Sequence, residues 1–327
     1  MGESQQKKVV TIGGGTGTFV VLSGLKHIPS VSLKAVVSVA DDGGSTGRLR
    51  DGYGFLPLGD ARQALLALAD ENGATLMRAL FNYRFSKGDI AGHNFGNLFL
   101  TALTDILGTD SEAIEAASQI LRVEGRVVPV SDTPATLIAE LENGESITCE
   151  HNIDERVYGR SPIKSLTAET SIDISHDAKD AVHEADVLIL GPGDLYTSTL
   201  ANFVVSGLSE EVKTSKAKLV YIMNLFTKAG QTDGYSAQNH IDAIERHIGR
   251  KPDIVVLHTG VFPEKILKRY ADENEFPVVD DLPENNNIIR GVFADVVEAQ
   301  QLEGDTVPRS FIRHNPEKIS EIFKTLL

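Results

Sequence analysis

Short apolar segments alternate with helical patterns along most of the chain. The segments 8–12 and 33–39 have the composition of buried strands, and each ends in a glycine-rich turn. The same strand-then-helix order returns at 187–190, 219–223 and 254–257. Because parallel strands need crossover connections, this alternation predicts a Rossmann-like α/β fold with a doubly wound, mostly parallel sheet.

Between the second and third of these strands the pattern changes twice. Helical spacing dominates first, at 60–69, 74–83, 94–107 and 111–121. From about 125 to 170, β-branched residues then alternate with polar ones around Asn143-Gly144, which favours a hairpin with a type I′ turn. We therefore expect a single α/β domain over 1–327 with a small inserted β-rich lobe at 125–170.

Composition limits the classes of partner. The formal net charge of -15 opposes nucleic-acid binding, which depends on clustered Lys and Arg. No apolar run approaches the roughly 20 residues of a membrane span, and the N-terminus lacks a secretory signal, so we expect a cytoplasmic protein without a membrane span. The single cysteine, Cys149, predicts neither an internal disulfide nor a zinc site. A small anionic ligand in a local pocket stays compatible with the acidic surface. A homo-oligomer is left open.

The turn after the first strand, Gly13–Gly17, has the features of a phosphate cradle. Thr18 stands where a dinucleotide fingerprint needs its last glycine, and no Gly-Lys-Ser/Thr sequence closes a Walker loop. Glycines nevertheless let the backbone approach an anion, and the next helix offers free N–H groups. The alternative is a tight turn that serves packing alone. The candidate ligand residues here are Gly14, Gly15, Thr16 and Gly17.

A second glycine turn follows the strand at 187–190. Gly191 and Gly193 bring the backbone close, and Thr197 or Ser198 is expected to open a helix. Two such turns in one sheet favour a shared ligand. The candidate ligand residues here are Gly191, Gly193, Tyr196, Thr197 and Ser198, with Asn224 and Asp233 after the next strand as a polar edge suited to a base or sugar.

The loop at 40–50 combines acids, glycines, hydroxyls and arginines. An acid at this strand end is typical of ribose binding, whereas the adjacent Asp41 and Asp42 are equally suited to hold hydrated Mg²⁺ against a diphosphate. The alternative to a ligand site is a solvated surface loop whose charged residues have no ligand. The candidate ligand residues here are Asp41, Gly44, Ser45, Thr46 and Arg48, with Asp42 and Asp60 as candidate Mg²⁺ ligands.

Two further polar positions lie at predicted helix starts. Asp60 is either a helix cap or a ligand or metal contact. His93 either polarises a phosphate or caps the helix, and Asn94 and Asn97 share one helical face. We include His93, Asn94 and Asn97 among the candidate ligand residues.

The ordered set GGGTG, ADDGGSTGRLR, PLGDARQ, GHNFGNL and GPGDLYTS resembles the CofD-like family, most closely its bacterial YvcK branch. The later stretches 224–234, 268–270 and 312–315 are similar to the same branch, so the resemblance covers nearly the whole chain. It implies a Rossmann-like fold, a UDP-sugar such as UDP-N-acetylglucosamine as ligand, and a role in cell shape, cell-wall supply and growth on gluconeogenic carbon.

The resemblance also implies roles for particular residues. Tyr270 and Arg313 match positions that contact the nucleotide sugar. Relatives that are 2-phospho-L-lactate transferases use Mg²⁺ at acids that correspond here to Asp42 and Asp60. The chain departs from the family pattern at Gln231, where glutamate is usual, and at Asp194, where serine is common. Asp194 adds negative charge beside a presumed phosphate turn.

These observations leave two functions open. The favoured hypothesis is a non-enzymatic UDP-sugar-binding regulator, and the alternative is a Mg²⁺-dependent transferase acting on a diphosphate-linked donor. An NAD-dependent oxidoreductase suits the fold, but the chain lacks the fingerprint and an evident catalytic pair.

Overall fold

The computed structural model describes residues 6–70, 75–296 and 311–327. The strands in these residues are β1 (Lys7–Ile12), β2 (Val31–Val37), β3 (Arg126–Pro129), β4 (Leu137–Leu141), β5 (Ser146–Thr148), β6 (Ile163–Ala168), β7 (Val187–Leu190), β8 (Lys218–Ile222), β9 (Ile254–His258), β10 (Ile288–Gly291), β11 (Ala294–Val296) and β12 (Ile312–His314). The α-helices are α1 (Gly15–Leu25), α2 (Gly44–Tyr53), α3 (Gly59–Leu68), α4 (Thr75–Asn82), α5 (Phe95–Leu107), α6 (Asp110–Leu121), α7 (Glu150–Asp154), α8 (His176–Glu184), α9 (Leu208–Thr214), α10 (Ala237–Ile248), α11 (Glu264–Asp272) and α12 (Pro316–Leu326).

A seven-stranded parallel sheet in the order β10-β9-β8-β7-β1-β2-β3 forms the centre of the molecule. Every residue of β7 and the last four of β1 are buried, as expected for strands covered by helices on both faces. Helix α1 packs against α3 and α12, and α9 packs against α8 and α10. The predicted Rossmann-like, doubly wound fold is confirmed.

A smaller antiparallel sheet in the order β5-β4-β6 lies within the range predicted for an inserted lobe. Strand β3, also within that range, pairs instead with β2 in the central sheet, so the antiparallel part begins at Leu137. The division into one domain and a lobe remains a prediction.

The hairpin between β4 and β5 forms, but its predicted type I′ turn is wrong. That turn needs positive φ at both central residues, and of the pair only Gly144 has it, with φ 87°. The N–H of Gly144 donates to the carbonyl of Leu141 at 3.0 Å, and the N–H of Leu141 donates to the carbonyl of Glu145 at 2.8 Å. This pattern is that of a turn followed by a glycine bulge.

The four helices predicted between β2 and β3 are present as α3 to α6. Asn94 caps α5 by accepting from the N–H of Asn97 at 3.2 Å, and Thr109 caps α6 by accepting from the N–H of Glu112. Among the helices that the structure describes, none combines the length and the apolar character needed to cross a bilayer.

Candidate ligand-binding site

The chain reverses its winding direction between β1 and β7. From β1 it proceeds through β2 to β3 on one side, whereas from β7 it proceeds through β8 and β9 to β10 on the other. Residue Ile12 pairs with Leu190, so the turns that follow these two strands leave the sheet side by side. In open α/β sheets, ligands bind in the crevice outside such a switch point.

The two glycine turns are in direct contact. A side chain at Gly17 would place its Cβ 2.6 Å from the carbonyl carbon and oxygen of Pro192, and one at Gly193 would place its Cβ 3.1 Å from the carbonyl oxygen of Gly14. Gly15, with φ +66°, starts α1 in a conformation that favours glycine. Glycine at these positions lets the first turn of α1 approach the second turn closely, with its N–H groups at the crevice.

A polar cleft of about 380 Å³ opens from these turns, within the roughly 300–1,000 Å³ usual for ligand pockets. Its walls come from the residues that follow β1, β7 and β8, together with α11 and β12. Predicted site residues in its lining are Gly15, Thr16, Gly17, Gly193, Ser198, Asn224, Tyr270 and Arg313; Gln63, Asp154, Asp194, Phe226, Lys228 and Glu275 also line it.

Tyr270 anchors one end of the cleft rather than projecting freely into it. Its ring stacks on Phe226 with 4.1 Å between centroids, and it is only 8% exposed. Its hydroxyl oxygen accepts from the N–H groups of Phe311 at 3.1 Å and Ile312 at 3.4 Å. These bonds fix the start of β12 and thereby place Arg313 at the cleft.

Lys228 lies among acids in the cleft wall. Its Nζ is 3.8 Å from Asp154 Oδ1 and 3.8 Å from Glu275 Oε1. Burial raises the pKa of Glu275 to about 7, and burial likewise raises the pKa of Asp194, although the charge of Lys228 opposes both shifts. The negative charge of Asp194 beside the second glycine turn is thus offset in part by the charge of Lys228.

A second group of acids stands behind the first glycine turn. Asp60 Oδ1 accepts from the N–H of Gly15 at 2.8 Å, so Asp60 serves α1 and does not cap its own helix, α3. Burial and the charge of Asp41 raise the pKa of Asp60 to about 7. Burial also raises the pKa of Asp41 and, with the charges of Asp41 and Asp154, raises that of Glu150 to about 10.

Asp42 has a structural role in this arrangement. Its carboxylate accepts from the N–H groups of Glu150 at 3.1 Å and His151 at 2.8 Å, which ties the first turn of α7 to the end of β2. Both carboxylate oxygens of Asp42 therefore carry amide hydrogen bonds. Each of these oxygens has a further lone pair, so the role of Asp42 as an Mg²⁺ ligand stays a prediction.

The acids fit Mg²⁺ only in combination with a ligand. Among the residues that the structure describes, no three His, Cys, Asp or Glu side chains converge to hold a metal. Mg²⁺ in proteins commonly takes one or two carboxylates together with water and substrate phosphates. Asp60, beside Gly15, and Asp41 next to it would supply the carboxylates, and a phosphate on the glycine turns would complete the site.

The residues predicted around α2 and α5 form a buried network. Asn97 Nδ2 donates to Thr46 Oγ1 at 3.2 Å, and Ser45 Oγ lies 3.2 Å from His93 Nδ1. Asn94 is 3% exposed and caps α5. Gly44 begins α2, and the exposed Arg48 reaches toward the carbonyl of Ala91. These residues lie outside the cleft lining.

Other predicted residues are engaged within the protein. Tyr196 is fully buried, with its hydroxyl 2.9 Å from that of Tyr235. Asp233 accepts from the N–H groups of Gly230 at 2.7 Å and Gly159 at 2.8 Å. Thr197 is buried as well, and Gly191 packs beside Thr18. The expected helix start at Thr197 or Ser198 is wrong, because a π-helical turn spans Leu195–Thr199.

Known proteins are similar to this chain over nearly its whole length. A sequence model of the family described as "2-phospho-L-lactate transferase CofD" matches residues 9–298. The chain belongs to the CofD family. The gluconeogenesis factor of Bacillus subtilis is 38% identical over 325 residues, covering 99% of this chain and 99% of its own length. A crystal structure of a Bacillus halodurans protein superimposes with a TM-score of 0.88 at 36% identity, covering 98% of this chain and 100% of the other.

The candidate site contains residues that the sequence alone did not single out. Lys228 and Glu275 line the same cleft from different loops. Glu150, from α7, lies near the acids Asp41 and Asp60. Arg62 lies within the sequence PLGDARQ. Its hydrogen bond to Asn97 at 2.9 Å depends on the packing of α3 against α5, which the sequence does not show. The available signal was the run of polar residues after β8, of which Lys228 is a member.

Proposed function

We propose that this chain binds a nucleotide sugar of the UDP type, such as UDP-N-acetylglucosamine, and acts as a ligand-dependent regulator of gluconeogenic carbon metabolism, cell-wall supply and cell shape. The observation that carries the proposal is the contact between the two glycine turns at the switch point, with a cleft leading from them to Arg313. The diphosphate would lie on the glycine turns at one end of the cleft, and the uncharged sugar or base would lie toward Tyr270 at the other end.

The charges in the cleft support an anionic ligand held by few groups. Backbone N–H groups of the first turn of α1 provide donors without side-chain ordering, and Lys228 and Arg313 provide positive charge. The relatives named gluconeogenesis factor support a metabolic role.

Chemical unfolding with and without ligand tests the proposal. At a hundredfold excess over its dissociation constant, UDP-N-acetylglucosamine should raise the unfolding free energy by about 2.7 kcal/mol, while NAD should not. Arg313→Gln should reduce the shift. Arg126→Gln is the matched control, because Arg126 pairs with Asp177 on an exposed surface. Stabilisation by NAD but not by UDP-sugars would reject the proposal.

A second candidate function is a Mg²⁺-dependent transferase, which the acids beside Gly15 favour. Asp41 and Asp60 would hold the ion, and the ion would neutralise charge that develops on the leaving phosphate. An acceptor hydroxyl would attack the distal phosphorus of the donor and lose its proton. The bond to the bridging oxygen would break, and a nucleoside monophosphate would leave.

A product assay separates the two candidates. The protein is incubated with Mg²⁺, a diphosphate-linked donor and a series of hydroxyl acceptors, and nucleoside monophosphate is measured. Release that requires Mg²⁺ and disappears in Asp60→Asn supports the transferase. Ligand binding without release in any combination supports the regulator.

A further inference from the structure

Three arginines make hydrogen bonds to the segment 81–97, outside the cleft lining. Arg62 extends from α3, Arg48 from α2 and Arg84 from the loop itself. Arg84 Nη1 donates to the carbonyl of Gly92 at 2.8 Å, and a Cβ at Gly92 would lie 3.0 Å from Arg48 Nη2, so these two guanidinium groups border the same residue. Burial and the charge of Arg84 lower the pKa of Arg62 to about 10, although the charges of Asp60 and Asp41 oppose this shift.

The acids Asp41 and Asp60 separate this cluster from the cleft. Asp60 contacts Gly15 on the cleft side. Asp41 is linked through Thr46 to Asn97, whose Oδ1 accepts from Arg62 Nε at 2.9 Å. The arginine cluster therefore lies one hydrogen-bonded layer beyond the acids.

Most guanidinium donors in the cluster are unused. Each arginine has five N–H donors. Arg84 makes one bond, to the carbonyl of Gly92 at 2.8 Å, and Arg62 makes two, to Asn97 and to the carbonyl of Phe81 at 3.3 Å. Arg48 makes only contacts of 3.5 Å to Ala91. Since no nitrogen of Arg62 or Arg84 is a buried atom without a partner, their spare donors face accessible space.

Among the carboxylates that the structure describes, none forms a close ion pair with these arginines, although Asp60 and Asp41 offset part of the charge of Arg62 from a greater distance. In the described ranges, neither Arg48, Arg62 nor Arg84 forms an ion pair within 4.0 Å. Other arginines of the chain, such as Arg250 and Arg290, do form close ion pairs, at 2.6 Å each. Arg48 and Arg84, which border Gly92 and form no ion pair in the described part of the chain, are therefore the members of the cluster best suited to take an anion.

We propose that Arg48, Arg62 and Arg84, with His93, form a second pocket that binds the phosphate group of a second small ligand. A phosphate suits the cluster better than a carboxylate, because its higher charge and tetrahedral oxygens match donors that approach from three elements. The proposal is argued from residues outside the cleft and stands independently of the UDP-sugar assignment. If a donor occupies the cleft, the second ligand would lie across Asp41 and Asp60 from it.

Titration with inorganic phosphate, followed by calorimetry at constant ionic strength, tests this pocket. Wild-type protein should bind phosphate, and Arg84→Gln should weaken that binding by at least about tenfold, as expected for loss of a charge-assisted contact. Arg48→Gln, at an exposed position, provides a second variant that is less prone to disturb the fold. Arg126→Gln is the control, and acetate is the carboxylate probe.

Arg313→Gln distinguishes this pocket from the cleft. Phosphate binding that persists in Arg313→Gln and is lost in Arg84→Gln and Arg48→Gln supports the second pocket. If phosphate binding is lost in Arg313→Gln but retained in Arg84→Gln and Arg48→Gln, phosphate binds in the cleft and the proposal is overturned. No binding to wild-type protein, or tighter binding of acetate than of phosphate, would also overturn it.

Discussion

The carboxylate of Asp60 accepts a hydrogen bond from the backbone N–H of Gly15 at 2.8 Å, across 45 residues of sequence. This bond joins the start of α3 to the start of α1 and sets an acid directly behind the first glycine turn. Because burial and Asp41 raise the pKa of Asp60 to about 7, its charge changes near neutrality.

Asp60→Asn should stabilise the ligand-free protein above neutral pH. The native state holds the proton of Asp60 up to about pH 7, whereas the unfolded chain releases it near pH 4, so the free energy of unfolding falls as pH rises between these values. Asparagine keeps an oxygen that accepts from the N–H of Gly15, and it removes the unfavourable ionisation of a buried carboxylate. Denaturation at about pH 8 should show a gain of about 1–3 kcal/mol, which shrinks toward about pH 4.

Asp105→Asn is the control for that measurement, because Asp105 is exposed on α5. An equal gain in Asp105→Asn, or a gain in Asp60→Asn that does not depend on pH, would contradict this account of Asp60.

Gly17→Ala should separate the two glycine turns. The added Cβ would meet backbone atoms of Pro192 at 2.6 Å and Gly193 at 2.8 Å, and backbone cannot move aside easily. We expect a loss of about 1–3 kcal/mol in unfolding free energy and much weaker UDP-sugar binding by calorimetry. Gly52→Ala is the matched control, since nothing lies within 4 Å of its Cβ. Normal ligand affinity in Gly17→Ala would show that the turns do not form the binding surface.

The fold was more predictable from sequence than the site. Strands such as Val187–Leu190 and the helices α3 to α6 follow from local apolar spacing, and the glycine turns mark their ends. The sequence suggested Asp42 as an Mg²⁺ ligand, but it could not show that the Asp42 carboxylate accepts from the N–H groups of Glu150 and His151, which lie more than 100 residues away. The ion pairs of Lys228 likewise depend on how its loop packs against α7 and against the residues after α11, which local sequence does not show.

UDP-sugar affinity should fall as pH rises through neutrality. Glu275, with its pKa raised to about 7 by burial, becomes charged in this range and adds negative charge beside Lys228 and the diphosphate. Calorimetry between about pH 6 and about pH 8 should show a loss on the order of tenfold, and Glu275→Gln should remove most of it. Glu245→Gln, which alters an exposed pair with Lys251, should retain the full dependence. An unchanged pH profile in Glu275→Gln would exclude this role.

Tyr270→Phe should weaken ligand binding through Arg313. The change removes the acceptor for the N–H groups of Phe311 and Ile312 and leaves the aromatic stack on Phe226 in place. We expect a stability loss of about 1–2 kcal/mol and a lower UDP-sugar affinity. Tyr158→Phe, at an exposed tyrosine, should change neither. Full affinity in Tyr270→Phe would show that β12 needs no such anchor.

The crystal structure of this protein with UDP-N-acetylglucosamine tests the central claim most directly. The account predicts that the diphosphate lies against Gly15–Gly17 and Gly193, with the rest of the ligand extending toward Arg313. A ligand bound away from the contact between the two glycine turns, or a nucleotide sugar that fails to bind at saturating concentration, would contradict it.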